Sequence, residues 1–172
     1  MHEKYMKIAI EEAFEGMEKS HGGPFGAVII RENDGEIIAR EHNRVLSTKD
    51  PTMHAEISAI RKATEKLGRF SLHDCVIYST CMPCPMCLGA IMWAKIPKLY
   101  YGANAVDASK IGFDDHYIYE FIKNDFGITE TKNESEPPKL ILETLTLQNR
   151  QECLKLFEKW QETHNTDGKK SY

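Results

Sequence analysis

The 172-residue chain has no apolar run near the ~18 residues that a membrane-spanning helix needs. Its opening stretch, MHEKYMKIAIEEAFEGMEKS, carries acidic side chains throughout and lacks the apolar segment of a secretory leader. A cytoplasmic protein with no membrane partner is therefore expected. Positive charge is not in excess either. The 22 Lys and Arg are outnumbered by 26 Asp and Glu, for a net charge of −4, which argues against a generic nucleic-acid surface and leaves room only for a local basic patch. Internal repeats and low-complexity stretches are missing. Cysteine is sparse, five residues in all, yet three are crowded into Cys81-Met82-Pro83-Cys84-Pro85-Met86-Cys87. Without a secretory signal, such a cluster reads as metal ligands or redox groups rather than as a disulfide frame. The remainder is 41% hydrophobic and 28% charged, a composition that excludes wholesale disorder, and the length suits one domain or one domain with a tail.

Met6, Ala9, Ile10, Ala13, Phe14 and Met17 recur at helical spacing, which predicts an amphipathic first helix over the first ~18 residues, stopped by His21-Gly22-Gly23-Pro24. Residues 25–31 read as a buried strand, Asn33-Asp34-Gly35 as a turn and 36–40 as the return strand. Asp50-Pro51 predicts the start of a second helix, with Asp50 as cap and Pro51 in the first turn, running to Gly68. A strand over 75–80 follows, then a helix from about Pro83 to Pro97, a strand over 98–103, a short helix over 115–123, a polar loop over 132–138, a strand over 140–147 and a helix over 148–164. Alternating strands and helices predict a layered α/β domain around a mixed sheet.

Two motifs carry chemistry. His54-Ala55-Glu56 falls in the opening turns of the second helix, and Pro83-Cys84-Pro85-Met86-Cys87 opens the third. Cys84 and Cys87 are three apart and share one face of a helix. With His54 they supply three nitrogen and sulfur ligands and leave a fourth position for water, the layout of a catalytic zinc. Two thiolates and a neutral imidazole balance the ion's charge, and Glu56 is close enough to exchange a proton with that water. The ligand set also admits other readings. An iron–sulfur cluster would want a fourth cysteine at suitable spacing, and Cys153 is far off. A Cys84–Cys87 redox pair would leave His54 and Glu56 idle. Cys75 and Cys81 read as core residues, and His2, His21, His42, His73, His116 and His164 as surface or core histidines without spaced partners.

The combination H-x-E then P-C-x-x-C is the signature of zinc deaminases. Together with Gly23-Pro24-Phe25-Gly26-Ala27-Val28, His42-Asn43-Arg44, Asp50-Pro51-Thr52-Met53 and Leu88-Gly89-Ala90-Ile91, it resembles the cytidine deaminase-like superfamily over residues 5–125, in the branch holding guanine deaminases and tRNA adenosine deaminases. Trp93, Gly112-Phe113-Asp114-Asp115 with the aromatic His116-Tyr117-Ile118-Tyr119, and a C-terminal Lys169-Lys170-Ser171-Tyr172 are similar to bacterial-type guanine deaminases. Met82, where a glutamate is common, and a longer region after Asn124 depart from the pattern.

The resemblance implies a three-layer α/β/α fold with a central mixed five-stranded sheet, a deaminase domain over 1–160 and a tail over 161–172. It implies a homodimer with a swapped C-terminal segment, the tail closing over the partner's site. One Zn2+ per subunit would be held by His54, Cys84 and Cys87. Glu56 would shuttle protons, and Asp115 would bind the amino side of the base and help move its proton. Phe25, Asn43, the Ala55 backbone N–H and Trp93 would contact a small purine, and Tyr172 would act as a lid. The activity implied is hydrolysis of guanine to xanthine and ammonia. A tRNA adenosine deaminase and a deaminase of another small amino-heterocycle stand as alternatives, and a non-catalytic zinc domain that binds RNA or protein is a reading of a different class.

Overall fold

The computed structural model describes residues 2–124, 140–144 and 147–164. Five strands form one mixed sheet: β1 (Gly26–Arg31), β2 (Ile37–His42), β3 (Cys75–Cys81), β4 (Lys98–Ala103) and β5 (Ile141–Thr144), in the order β2-β1-β3-β4-β5. The β1 strand pairs antiparallel with β2 and β3, whereas β3–β4 and β4–β5 are parallel. The ends of β2, β3 and β4 therefore lie along the same edge as the start of β1. That edge carries the candidate site.

Side chains alternate across the sheet as a pleated strand requires. Val28, Ile30, Val76 and Tyr78 meet α1 (His2–Glu18) and α7 (Leu147–His164) on one face. Ala27, Ile29, Cys75 and Ile77 meet α3 (Ala55–Leu67) and α4 (Pro85–Trp93) on the other. The result is the expected three-layer α/β/α arrangement. Gly26 permits it locally, since a Cβ there would lie 2.0 Å from the Ala9 carbonyl oxygen of α1. The hairpin turn forms at the Asn33-Asp34-Gly35 signal, where Gly35 has φ 71° and Asp34 accepts a hydrogen bond from the Glu36 N–H at 3.0 Å.

The second long helix starts later than Asp50-Pro51 predicts. Asp50 does have the chemistry of a cap, but it accepts from the Thr52 N–H and hydroxyl at 2.8 and 2.7 Å and so closes a turn. The helix begins at Ala55, with His54 at the cap position. Two short helices, α2 (Val45–Thr48) and α5 (Ala105–Ser109), carry no periodicity to read; α5 is held by a reciprocal Asn104–Asp107 capping box. α6 (His116–Asn124) matches the expected short helix but has no buried residue. The polar loop over 132–138 lies outside the described residues; of the tail expected over 161–172, residues 161–164 form the end of α7, and 165–172, including Tyr172, lie outside the described residues.

Candidate metal centre and its cavity

His54 and Cys84 occupy equivalent places. Each is the cap residue of a helix, α3 and α4, with nearly the same extended backbone: φ −65°, ψ 161° for His54 and φ −64°, ψ 167° for Cys84. Neither side chain caps its own helix by a hydrogen bond, so both point off the helix ends. Pro85 suits the first helical position, where an N–H would have no intrahelical acceptor. Cys87, on the same turn, comes back to face Cys84.

One ligand atom from each of His54, Cys84 and Cys87 lies within 4.8 Å of the other two. His54 Nδ1 is 3.7 Å from Cys84 Sγ and 3.5 Å from Cys87 Sγ. Tetrahedral zinc, with Zn–S about 2.3 Å and Zn–N about 2.0–2.1 Å, holds sulfur and nitrogen about 3.5 Å apart. The residues present fit that ion in donor type and in spacing.

The electrostatics are those of a site that favours ligands over inert core groups. Cys84 is held down at about 4 by the Cys87 S–H donated to it and by His54, against burial. Cys87 is pushed far up as the donor of that bond and by burial. The pair thus favours one thiolate already, the form that binds metal. Burial opposes a charge on His54, but its bond to Cys84 and the nearby Glu56 carboxylate raise it. Cys81, in contrast, is driven well up by burial and donates weakly to the Asn104 carbonyl at 3.6 Å, as a core cysteine should.

Glu56 is buried beside the ligands, and burial raises its carboxyl above the usual range. Its Oε1 accepts a hydrogen bond of 2.9 Å from the Ser79 hydroxyl near the end of β3. A carboxyl raised in this way, next to a candidate metal, has the properties of a proton shuttle. Asp115 is raised by burial and by Cys84.

These groups share a cavity of about 330 Å³, near the lower end of the range for small-molecule pockets. His54, Glu56 and Cys84 form its floor, and Phe25, Asn43 and Asp115 its walls. Phe25 stands edge-on to Phe113, with ring centroids 4.9 Å apart and planes at 86°. Asn43 is fixed by its Oδ1, which accepts from the Gly23 and Val45 N–H groups at 3.3 and 3.2 Å. Ala55 is the first residue of α3, so its N–H has no acceptor within the helix.

Of the residues singled out in the sequence, His54, Glu56, Cys84, Phe25, Asn43 and Asp115 come together at the cavity, with Cys87 and Ala55 alongside. Trp93 does not join them: it is 87% exposed at the far end of α4. Met82, Met86, Phe113 and Tyr117 line the cavity without having been marked for it. Ser79 was missed as well. Its signal was two consecutive hydroxyls, Ser79-Thr80, at the end of an otherwise apolar buried strand.

A sequence profile of the family described as "Cytidine and deoxycytidylate deaminase zinc-binding region" matches residues 1–103. The chain is 51% identical over 121 residues to a guanine deaminase of Bacillus subtilis (strain 168), covering 70% of this chain and 76% of that one. It is 42% identical over 101 residues to a tRNA-specific adenosine deaminase of Aquifex aeolicus (strain VF5), covering 59% of this chain and 65% of that one. An X-ray structure of guanine deaminase from Bacillus subtilis superposes with a TM-score of 0.68 at 41% identity, covering 100% of this chain and 99% of that one.

Proposed function

The chain belongs to the cytidine and deoxycytidylate deaminase zinc-binding family, and from that premise we propose that it hydrolyses guanine to xanthine and ammonia. The observation that carries the reading is the buried Glu56 carboxyl beside a His–Cys–Cys cluster in a cavity sized for one base. The 51% identity to the Bacillus guanine deaminase supports guanine as that base.

His54, Cys84 and Cys87 would hold one zinc per subunit, which would supply the Lewis acidity that acidifies a water molecule. Glu56 takes a proton from the attacking water and gives it to the purine ring nitrogen. It then takes the proton of the hydroxyl now on the attacked carbon and gives it to the amine, so that a carbonyl forms as ammonia leaves. Ser79 holds one Glu56 oxygen, which leaves the other to work. Phe25 packs on the purine, Asn43 donates its amide N–H to a ring-edge acceptor, and the Ala55 N–H adds a second donor. Asp115 accepts from the amino side of the base.

The deaminase domain spans residues 1–160 and a tail spans 161–172, within a cytoplasmic homodimer. Trp93 points into solvent in the single chain, as it would if a second subunit covered it, so we assign it to a pocket completed by a partner. Tyr172 would close such a pocket as part of a swapped segment. Deleting residues 169–172 tests this: guanine turnover should fall while zinc content and dimer mass hold, and unchanged guanine kinetics would remove the lid.

A tRNA adenosine deaminase is the second reading, favoured by the 42% identity to the Aquifex protein. The net charge of −4 disfavours a polynucleotide. Ammonia release measured side by side from guanine, adenine, cytosine and a tRNA anticodon stem-loop decides between them. Guanine should be the best substrate, and release from the stem-loop alone would overturn the proposal.

A further inference from the structure

A chain of polar groups behind the cavity has no part in the reaction described. Arg40 Nε donates to Glu12 Oε1. Glu12, on α1, is buried. Its other oxygen, Oε2, is 3.3 Å from His42 Nδ1, and His42 Nε2 is 2.9 Å from His21 Nδ1. The two imidazoles stack at 5.1 Å between centroids, and His42 is 2% exposed. Helix α1 makes room for this ring. A Cβ on Gly16 would stand 2.7 Å from His42 ring carbons, so α1 keeps a glycine where alanine would favour the helix by about 0.5–1 kcal/mol.

The position of the chain gives it meaning. His42 immediately precedes Asn43, and His21 heads the segment that ends in Phe25. Those two segments are also joined by the Asn43 N–H to the Phe25 carbonyl at 3.0 Å and by the Gly23 N–H to Asn43 Oδ1 at 3.3 Å. The His21 carbonyl accepts from the Leu46 and Ser47 N–H groups at 3.0 Å each, which fixes its own loop. We propose that Glu12, His42 and His21 are positioning residues for the base, forming a brace that holds Phe25 and Asn43 in register and tolerates only one added proton. This rests on the reading of Phe25 and Asn43 as base contacts.

The proton count follows from the donors. Ionised Glu12 only accepts, so His42 Nδ1 carries a hydrogen. With both rings neutral, the one hydrogen in the 2.9 Å gap is donated by His21 Nδ1 and accepted by His42 Nε2. A first extra proton goes to the outer nitrogen of His21 and leaves every bond intact. A second would set two N–H groups against each other and break the brace. The charged groups around the rings are Glu12, Glu15 and Lys19 of α1, Arg40 of β2, and Arg44. Burial, the neighbouring His42, Arg44 and Lys19 all lower the pKa of His21, and Glu15 opposes them.

The test uses the zinc-loaded full chain with His21→Ala and His21→Asn. Asparagine keeps an N–H near the place of Nδ1 but does not titrate. His21→Ala should raise KM for guanine about tenfold, one hydrogen bond's worth, with kcat and zinc content within about twofold of wild type. His21→Asn should restore KM near neutrality, and its KM should rise less on acidification than that of the wild type. Wild-type KM in His21→Ala, or no rescue by His21→Asn, would overturn the brace. Ring-nitrogen NMR of the wild type should show a hydrogen bonded between two imidazoles, and its absence would overturn the brace whatever the substrate. If the wild type turns over no guanine while that signal is present, the substrate reading has failed and the brace has not.

Discussion

The two sides of the cavity are built differently. On the floor, His54 and Cys84 sit at matching helix caps, and Cys87, Glu56 and Ser79 are packed between α3, α4 and the end of β3. On the opposite wall, Asp115 and Tyr117 precede and open α6, a helix with no buried residue; Tyr117 is 71% exposed. The candidate ligands and Glu56 are set by backbone that cannot move without unfolding two helix starts. The wall toward the substrate is the more exposed of the two, although the Tyr119 hydroxyl of α6 donates to the Pro83 carbonyl at 3.4 Å. Preorganisation is needed where charge develops in the reaction, and a looser wall suits the entry of a base and the release of product.

The contrast is broken most severely at the metal ligands. Cys84→Ala should lose most of its zinc and its turnover, with a lower melting temperature, because metal affinity is coupled to folding. Cys81→Ala, one turn of motif away but buried as a core thiol, should keep its zinc. Metal analysis of the two purified variants checks both, and full occupancy in Cys84→Ala would falsify the ligand set.

Next comes Glu56→Gln, which keeps shape and zinc but cannot take a proton. A fall in kcat of about 10²–10⁴-fold is expected, and near-normal turnover would end its role as the shuttle. Ser79→Ala probes the same floor one layer further out. Loss of a hydrogen bond to a carboxylate should lower kcat about tenfold with little change in KM, and Ser79→Thr should recover part of it.

On the loose wall the effect should be smaller and should fall on binding. Tyr117→Ala is expected to raise KM for guanine by less than about tenfold, since an exposed ring at a rim contributes little, with kcat unchanged. Steady-state kinetics that put the loss in kcat instead would place α6 in the chemistry and erase the contrast.

The last expectation concerns pH. The Glu12 carboxyl is lowered from 4.5 to about 2, chiefly by its hydrogen bond with His42 and then by Arg40, with burial opposing. A depressed folded-state pKa gives stability that is present above the unfolded value and is lost as pH falls. Stability should therefore decline from about pH 4.5 toward about 2, by an amount on the order of 3 kcal/mol. In Glu12→Gln the decline should be shallower, from a lower starting point, by denaturant titration across that range.

Much of this molecule was legible in the sequence because the relevant physics is local. Strand alternation, the Asp34-Gly35 turn and the apolar stripe of α1 follow from neighbours a few residues apart. So does the pairing of Cys84 with Cys87, three positions apart on one helix turn. The motifs His54-Ala55-Glu56 and Pro83-Cys84-Pro85-Met86-Cys87 marked the candidate ligands by residue type and by their match to the zinc deaminase signature. Local signals also misled where two local structures compete: Asp50 has the chemistry of a helix cap and uses it to close a turn, which delays α3 to Ala55 and makes His54 the cap.

What required the tertiary structure is whatever depends on groups far apart in the chain. The antiparallel placement of β1 beside β3 brings Phe25 next to the floor that Ser79 and Cys84 build from fifty residues away. The packing of α1 against β1 and β2 likewise joins Glu12, His21 and His42, in the sequence a helix acid and two histidines without spaced partners, into one hydrogen-bonded line. The exposure of Trp93 belongs to the same class. A side chain's type and spacing can state what chemistry it is capable of, but only packing decides which partners it meets and whether it faces a cavity or water.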